Sequence, residues 1–245
     1  MTKEDLDYII DAINFMFPSL SMKASDVESS WAGLRPLIGE EGKDPSEISR
    51  KDEIFISDSG LLSIAGGKLT GYRKMAEDVV DKIVEQLKNE HGILYSKSET
   101  KHIPLSGGDV GGSKGFNQFV KEQLDKARSL EIDEKHALDV INKYGSNVEK
   151  IWDLSEELKN EALEADLDPI VFAQLRYAME EESVYRPVDF FIRRTGALFF
   201  DINWVKQNQT NVINYMAKVL NWTTEEKTYY QRELNEALEE AVTPE

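Results

Sequence analysis

A glycine turn followed by a lysine and a threonine is the segment whose residue types point most directly to binding chemistry. It has the sequence AGGKLT over residues 65–70, and it connects a predicted strand to a predicted helix with Lys68 and Thr70 in the first helical turn. Free N–H groups at a helix start favour an anion or an electron-rich ring edge, and glycines let a ligand approach the backbone. Lys68 would add a positive charge and Thr70 a hydroxyl. A glycerol phosphate, a nucleotide phosphate or a reduced flavin anion would therefore suit the turn.

The structural alternative is a plain glycine turn in which Thr70 caps the following helix. The segment does not match the Walker A pattern G-x-x-x-x-G-K-[ST], so its residues alone do not identify a nucleotide phosphate site. Both interpretations stay open at this point.

A second candidate is an arginine that lies in an apolar stretch. Arg35 stands between Leu34 and Pro36, within the sequence SWAGLRPLI at residues 30–38. A largely buried arginine needs an anionic partner, and its planar guanidinium matches a phosphate or a carboxylate. Because the chain carries 46 acidic residues, a structural ion pair is the better explanation of Arg35 from the residues alone, and ligand binding is the alternative.

Two further segments carry clustered glycines or arginines. Residues 107–115 contain five glycines and Lys114, but they follow no predicted strand and do not fit G-x-G-x-x-G, so a linker is favoured over a phosphate cradle. Arg186, Arg193 and Arg194 flank an aromatic core in an acidic half of the chain. That setting favours an ion-pair network between packed helices over anion capture.

The elements that would position the first two candidates are a mixture of helices and strands. Apolar spacing predicts a helix over 3–17. Alternation at 27–31 predicts a short strand that runs into a turn within 25–38. Short apolar runs at 54–56 and 61–65, separated by a turn, predict a β-hairpin. The glycine turn then leads from the hairpin into a long amphipathic helix that ends at Gly92.

Every periodic segment in the second half is helical, with Asp168 and Thr223 as predicted N-caps. The predicted helical segments are 115–128, 133–144, 147–164, 168–185, 187–198, 203–221 and 224–241. The fold class is an α+β N-terminal part, with a few strands and two helices, followed by an all-α C-terminal domain, and it is mainly α overall. The predicted domains are 1–95 and 116–245, joined by a glycine-rich linker at 96–115.

Composition excludes several classes of function. The 245 residues include 29 basic and 46 acidic side chains, a formal net charge of −17, which argues against a general nucleic-acid binder. The chain has no cysteine, which excludes disulfides and thiolate chemistry, and its three histidines are far apart in sequence, which argues against a zinc site. No apolar run approaches the ~20 residues of a membrane-spanning helix.

Four segments together resemble the flavin-dependent glycerol-3-phosphate dehydrogenases and the related α-glycerophosphate oxidases, especially those of Gram-positive bacteria. They are SWAGLRPLI at 30–38, ISR at 48–50, SGLLSIAGGKLTGYRKMAEDVVDKI at 59–83 and RPVDFFIRRTGALFF at 186–200. The resemblance extends over most of the chain and identifies the first part as a remnant of an FAD- and substrate-binding region.

The resemblance implies an activity and a set of site residues. Enzymes of this family oxidise sn-glycerol 3-phosphate to dihydroxyacetone phosphate by hydride transfer to FAD, and they pass the electrons to quinone or to oxygen. It implies that Arg35 and Lys68 lie in the substrate pocket. It also implies that a short stretch of backbone approaches the pyrimidine edge of the flavin, namely Gly66, Gly67, Lys68, Leu69 and Thr70.

Two departures from the family pattern qualify these expectations. Many members have a second threonine after the first, whereas Thr70 is followed here by Gly71. The strand–G-x-G-x-x-G–helix unit that holds the FAD pyrophosphate is absent from the chain. We therefore expect a C-terminal part of a longer enzyme, with no catalytic residue assigned in this chain. Alone it should bind no FAD and catalyse no turnover, and a yellow purified chain would contradict this.

The remaining expectations concern partners and location. The substrate is glycerol 3-phosphate and the electron acceptor is quinone, with an H2O2-forming oxidase as the alternative. We expect a cytoplasmic protein, and the resemblance leaves open peripheral association with the inner face of the membrane and homodimer formation. The second functional hypothesis is a helical interaction module without catalytic activity. The pairing of the glycine turn with Arg35 favours the enzyme.

Overall fold

The structure, a computed structural model, describes residues 1–33, 52–66 and 68–243. Contacts divide the chain into two units, which we describe separately. The first, called here the helical unit, comprises Met1–Ala32 and Leu105–Glu245. The second, called the hairpin–helix unit, comprises Gly33–Pro104. The described residues are 68% helical, which confirms the prediction of a mainly α chain.

The helical unit begins with one helix from the N-terminal part of the sequence. This is α1 (Lys3–Met16), and a short 3-10 turn follows at Ala24–Asp26. Thr2 caps α1 through its hydroxyl, which accepts from the N–H of Asp5, while the Asp5 carboxylate accepts from the N–H of Thr2. This reciprocal capping box fixes the start of α1 close to the predicted position.

The hairpin–helix unit follows in the sequence. Its described elements are β1 (Glu53–Ile56), β2 (Leu62–Ala65), a 3-10 turn (Leu69–Gly71), α2 (Tyr72–His91) and a second 3-10 turn (Thr100–His102). The strands pair antiparallel with Ile54 opposite Ile64, which confirms the predicted hairpin. Gly92 adopts a left-handed conformation at φ 68° and caps the C-terminal end of α2, as the sequence predicts.

The rest of the helical unit is a succession of helices with well-defined ends. They are α3 (Gly112–Ser129), α4 (Glu134–Tyr144), α5 (Val148–Glu157), α6 (Lys159–Glu164), α7 (Pro169–Glu181), a π-helix (Asp189–Arg194), α8 (Ala197–Phe200), α9 (Ile202–Val219) and α10 (Thr224–Val242). Asp168 caps α7 by accepting from the N–H groups of Ile170 and Val171, and Thr223 with Glu226 forms a capping box at α10. Both predicted caps are confirmed.

The core of the helical unit lies on both sides of α7. Eight residues of α7 are buried, and they face around the whole helix, as expected for a helix that is apolar on all sides. One face packs with α3, α4 and α5 around Ile141 and Trp152, and the other packs with α9 and α10 around Phe172 and Met216. The helical unit therefore has two hydrophobic clusters of its own, one on each side of α7.

The predicted strand within 27–31 is wrong. This segment has no strand partner among the described residues, and it lies against helices of its own unit instead. The N–H of Ser30 donates to the carbonyl of Ala241, 2.7 Å away, near the end of α10. The last carbonyls of a helix lack partners within the helix, so they provide the hydrogen-bonding surface that a neighbouring strand would otherwise provide.

Two predicted helices are shorter or less regular than expected. The single helix predicted at 147–164 is two helices that meet at Leu158. The segment predicted as a helix at 187–198 is the π-helix followed by α8, and the N–H of Thr195 bonds the carbonyl of Phe190, five residues earlier. Apolar periodicity does not distinguish these variants from a regular α-helix, because the spacing differs by only one residue.

Candidate functional site

The turn between β2 and α2 is tightly packed by residues of the same unit. An added Cβ on Gly66 would lie 2.8 Å from the Cε of Met75 and would also collide with a carboxylate oxygen of Asp52. The other oxygen of Asp52 lies 3.7 Å from the Cβ position of Gly71. Glycine at 66 is therefore required by the chain's own packing, and Asp52 is a neighbour of the turn that sequence reasoning missed. The only sequence signal for this contact was the glycine pair Gly66 and Gly71, whose Cβ positions both lie near Asp52.

The residues after the glycines form a 3-10 turn rather than the first turn of α2. The N–H of Gly71 donates to the carbonyl of Lys68 at 3.0 Å, and α2 begins at Tyr72. The expectation that Lys68 and Thr70 lie in the first turn of the helix is therefore wrong. Thr70 does not cap α2, whose N-cap is Gly71 without a side-chain hydrogen bond. The structural alternative for Thr70 is also wrong.

The side chains of this turn point away from the hairpin–helix unit. Lys68, Leu69 and Thr70 are exposed, and Leu69 reaches 89% exposure. An exposed lysine beside exposed backbone can meet an anionic or electron-rich ligand without displacing any packed side chain. Gly67 and Arg35 lie outside the described residues, so the structure places Gly66, Lys68, Leu69 and Thr70 together and leaves the other two proposed site residues unplaced.

The start of α2 carries basic side chains that are already paired. Arg73 forms a salt bridge with Glu77, and its guanidinium lies 3.3 Å from the Oγ1 of Thr100. Lys74 lies 2.7 Å from Asp78. The hydrogen bond from Arg73 holds the pKa of Glu77 below its usual range. These pairs leave Lys68 as the better candidate in this region for contacting an anionic ligand.

One groove of this unit is unsuited to an anion. A shallow cavity of about 610 Å³ lies between the start of β1 and the middle of α2. Its lining residues are Asp52, Glu53, Ile54, Asp78, Asp81, Lys82 and Glu85. Five carboxylates and one ammonium group would repel a phosphate at neutral pH. Lys68 is exposed and is not among the residues that line this groove.

The glycine-rich run has a structural role where the structure describes it. From Leu105 onward the chain belongs to the helical unit. The carbonyl of Gly107 accepts from the N–H of Ser146 at 2.9 Å, and a Cβ on Gly145 would collide with that carbonyl. Asn147 donates to the hydroxyls of Ser106 and Tyr177. These contacts hold the start of the run against the end of α4.

The arginine cluster forms ion pairs, as the sequence predicts. Arg186 lies 2.7 Å from Glu233 of α10 and 3.6 Å from Asp189, and Arg193 lies 3.3 Å from Asp189. Arg194 donates to the carbonyl of Glu182 at 2.5 Å. The predicted network between packed helices is confirmed, and anion capture by this cluster is not needed to explain it.

The described residues also limit other kinds of site. No group of three or more histidines, cysteines or carboxylates among them is arranged to hold a metal ion. Within the same residues, no helix is both long enough and apolar enough to cross a membrane.

Comparison with known proteins finds one matching family and several similar enzymes. Residues 98–227 match the family described as the C-terminal domain of alpha-glycerophosphate oxidase. The aerobic glycerol-3-phosphate dehydrogenase of Bacillus subtilis is 51% identical over 244 residues, which are 100% of this chain and 44% of that protein. The enzyme of the same name from Staphylococcus saprophyticus is 50% identical, over 98% of this chain and 43% of its own length.

A solved structure is similar over the whole chain. It is the glycerol-3-phosphate dehydrogenase from Bacillus halodurans complexed with FAD, with a TM-score of 0.88 and 48% identity. The match covers 100% of this chain and 46% of that one. The chain therefore spans less than half the length of the relatives that it matches.

Proposed function

Because this chain belongs to the family of the C-terminal domain of alpha-glycerophosphate oxidase, we propose that it is the C-terminal part of an FAD-dependent glycerol-3-phosphate dehydrogenase. The longer enzyme oxidises sn-glycerol 3-phosphate to dihydroxyacetone phosphate and passes the electrons to quinone. The observation that carries the proposal is the match of both units, at 48% identity and a TM-score of 0.88, to a dehydrogenase complexed with FAD.

The exposed turn supports roles for individual residues. We assign the substrate phosphate and hydroxyl groups to Arg35 and Lys68, since Lys68 is exposed and does not line the acidic groove. The backbone from Gly66 to Thr70 would hold the pyrimidine edge of the flavin. The exposed residues 68–70 fit such a contact, whereas Asp52 and Met75 occupy the Cβ position of Gly66.

FAD supplies the hydride acceptor in this reaction, and the chain's residues supply substrate binding and electrostatic stabilisation. The sequence contains no G-x-G-x-x-G pattern, so we propose that another part of the longer enzyme binds the pyrophosphate of the cofactor. Donors at the edge of the ring would stabilise the negative charge that develops as the flavin is reduced. Gly71 in place of a second threonine removes one hydroxyl from this edge.

The apolar surface of the hairpin–helix unit supports the idea that it belongs to a larger domain. None of its described residues is buried. Phe55 and Ile56 of β1 are 47% and 51% exposed, and Tyr72 and Val80 of α2 are each 51% exposed. Large apolar side chains exposed on both β1 and α2, in a unit without a described buried residue, support a surface that another part of the protein covers. The FAD-binding part of the longer enzyme is the partner that we propose.

A second candidate differs only in the electron acceptor. The matching family is described by an oxidase, which favours oxygen as the acceptor and H2O2 as the product. Anaerobic reduction of the flavin by glycerol 3-phosphate would be common to both enzymes. Reoxidation by a soluble quinone analogue without H2O2 formation supports the dehydrogenase, and H2O2 formation at the rate of turnover supports the oxidase.

The proposal also covers where the longer enzyme works and whether it forms a dimer. The enzyme works in the cytoplasm, at the inner face of the membrane when quinone is the acceptor, because quinones are dissolved in the bilayer. Sedimentation of the longer enzyme with and without vesicles would test both membrane association and dimer formation.

The decisive test uses the longer enzyme with substitutions in this chain. Arg35→Ala and Lys68→Ala should each raise the KM for glycerol 3-phosphate by about ten- to a hundredfold, the effect of losing one charge-assisted hydrogen bond. Lys74→Ala is the matched control, because Lys74 is also exposed but pairs with Asp78 on α2. If both Arg35→Ala and Lys68→Ala leave KM and kcat unchanged, the assigned roles are wrong. Failure of the unmodified enzyme to oxidise glycerol 3-phosphate would refute the function itself.

A further inference from the structure

A cavity of about 580 Å³ lies entirely within the helical unit, where α4, α7, α8 and α9 contribute to its wall. We call it the α4–α9 cavity. Its wall includes Lys143 of α4, Gln174 of α7, Phe200 of α8 and Trp204 of α9. The cavity therefore combines a few polar groups with aromatic rings, as binding sites for small molecules do. The proposed function gives none of these four residues a role.

Gln174 is a buried amide with an unused hydrogen-bond donor at the cavity wall. The residue is only 2% exposed. The hydroxyl of Tyr144 donates to its side-chain oxygen at 3.5 Å, whereas its amide nitrogen donates to no residue that the structure describes. The fully enclosed polar atoms without a partner in that part of the chain are Trp222 Nε1 and Glu233 Oε2, so the exposed part of Gln174 includes its amide nitrogen. A ligand that carries an acceptor would satisfy this donor, whose isolation otherwise costs free energy.

Lys143 adds a positive charge to the same wall. Lys150 of α5 forms a salt bridge with Glu181, whereas Lys143 forms none with the residues that the structure places. The surrounding protein partly desolvates its ammonium group and so lowers the pKa of Lys143, and the carboxylates of Asp139 and Asp201 act in the opposite direction. Part of Lys143 remains exposed, so an anionic ligand could reach it and replace the hydration that the ammonium group loses.

Most of the carboxylates in the wall are already engaged as helix caps. The wall includes Asp133, Asp139 and Asp201. Asp133 accepts from the N–H of Lys135 at 3.0 Å at the start of α4, and Asp201 accepts from the N–H of Trp204 at 3.0 Å at the start of α9. The partial positive charge at a helix start offsets a carboxylate there. Of the three, Asp139 has no capping role, and the two lysines of the wall outweigh its single charge.

We propose that the α4–α9 cavity binds a small aromatic carboxylate. The carboxylate accepts from the amide of Gln174 and pairs with Lys143, which come from adjacent parts of the wall, because Tyr144 follows Lys143 in α4 and contacts Gln174. The ring packs against Phe200, which is 76% exposed, and against Trp204. The inference is independent of the proposed function, since the site lies within the helical unit and its occupation requires no FAD.

Three probes of similar shape and different charge test the site in the 245-residue chain. They are benzoate, which is an anion, benzamide, which is neutral, and benzamidine, which is a cation at neutral pH. We expect benzoate to bind most tightly and benzamidine least. Nuclear magnetic resonance of the ¹⁵N-labelled chain measures this, since benzoate should shift the side-chain amide signal of Gln174 and the indole N–H signal of Trp204. The indole N–H of Trp222, which is enclosed and does not line the cavity, should not shift.

Either of two outcomes with these probes would overturn the proposal. Tighter binding of benzamidine than of benzoate would show that the carboxylates of the wall determine its preference. If none of the three probes shifts the signals of Gln174 and Trp204, the cavity is not a site for aromatic ligands.

Substitutions assign the contacts to individual side chains. Lys143→Gln should weaken benzoate binding by about ten- to a hundredfold, the effect of losing one charge-assisted hydrogen bond, and should affect benzamide much less. Lys150→Gln is the matched control, because Lys150 pairs with Glu181 and does not line the cavity, so it should leave the affinity for benzoate unchanged. Gln174→Leu should weaken benzoate and benzamide alike, since both present an oxygen to the amide.

The lysine variants decide the result even if Gln174→Leu disturbs the fold, because Lys143 and Lys150 are both exposed. Equal affinity for benzoate in the unmodified chain and in Lys143→Gln would overturn the proposed site. An equal loss in Lys143→Gln and Lys150→Gln would overturn it as well, since it would show an effect of net charge rather than of a contact in the cavity.

Discussion

The two units of the chain differ in what holds their apolar side chains. In the helical unit, Phe172 of α7 is fully buried, and a hydrophobic cluster lies on each side of that helix. In the hairpin–helix unit, none of the described residues is buried, and Ile83 in the apolar stripe of α2 is 38% exposed. Both units nevertheless have regular hydrogen-bonded elements.

Local structure and stability therefore have separate origins in this chain. The hairpin and α2 form from local signals: the turn at Gly60, the strand register and the left-handed Gly92. A two-stranded hairpin with one helix is marginal in water without a further surface to pack on. The helical unit provides its own core, whereas the hairpin–helix unit needs the covering surface that we propose for the longer enzyme.

The largest predicted effect contrasts a core residue with a residue of the uncovered stripe. Phe172→Ala should lower the free energy of unfolding of the helical unit by about 3–5 kcal/mol, because a buried ring leaves a cavity. Ile83→Ala should change the stability of the 245-residue chain by less than about 1 kcal/mol, since its side chain is already partly hydrated and alanine has the higher helix propensity. Urea unfolding followed by circular dichroism measures both.

The contrast should change in the longer enzyme. If the FAD-binding part covers α2, Ile83→Ala should become more destabilising there than in the 245-residue chain. Equal effects of Ile83→Ala in the two proteins would contradict the proposed covering surface.

A second prediction compares two glycines with positive φ. Gly145 has φ 53° and ψ −133°, and a Cβ there would collide with the carbonyl of Gly107, so Gly145→Ala should cost the helical unit about 3 kcal/mol. Gly92 has φ 68° and no atom within 4 Å of its Cβ position. Gly92→Ala should therefore cost only the left-handed conformation, about 1 kcal/mol. Similar costs at both positions would show that the contact between the two glycine segments is not formed.

A third prediction concerns helix starts. Asp168 accepts from the N–H groups of Ile170 and Val171 at 2.8 and 3.2 Å, so Asp168→Ala should destabilise the helical unit by about 1 kcal/mol. Thr70 precedes α2 without capping it, so Thr70→Ala should change stability by less than about 0.5 kcal/mol. Thermal unfolding of both variants measures the difference. If Thr70→Ala lowers stability as much as Asp168→Ala does, Thr70 caps α2 after all, contrary to the structure.

The features that the sequence predicts well in this chain are those that depend on residues close together in the sequence. The caps at Asp168 and Thr223, the hairpin and the end of α2 at Gly92 all depend on residues within one turn of each other. Alternation is a local pattern and predicts a strand around Trp31, whereas the partners of this segment are α8 and α10, far away in the sequence. The contact of Gly107 with Gly145 escaped prediction for the same reason.

The candidate site shows the same division. Residue types drew attention to Lys68, and the family resemblance supplied its proposed role, but neither indicated that Thr70 lies in a 3-10 turn. Nor did they indicate that Asp52 lies against Gly66, or that carboxylates of β1 and α2 form one acidic groove. These features depend on how the hairpin folds back onto α2, which no single segment of sequence encodes.

The smallest predicted effect concerns the hydrogen bonds of the Tyr215 hydroxyl in the helical unit. The hydroxyl of Tyr215 donates to Glu161 at 2.8 Å and accepts from Arg176 at 3.1 Å. Arg176 also pairs directly with Glu161 at 3.2 Å. Tyr215→Phe should therefore cost only about 0.5 kcal/mol at neutral pH, since the two charged partners keep each other.

Tyr215 should also affect how the free energy of unfolding depends on pH in the alkaline range. Burial, and next the hydrogen bond to Glu161, raise the pKa of Tyr215 to about 12. A raised pKa means that the folded state holds the phenolic proton longer than the unfolded state, so stability is retained below about pH 10 and lost as the pH rises towards 12. Tyr215→Phe should make the helical unit less sensitive to pH over this range. Some sensitivity should persist, because burial also raises the pKa of Tyr144. Unfolding in urea at several alkaline pH values measures the slope, and a slope unchanged by Tyr215→Phe would mean that this hydroxyl is hydrated rather than enclosed between α6, α7 and α9.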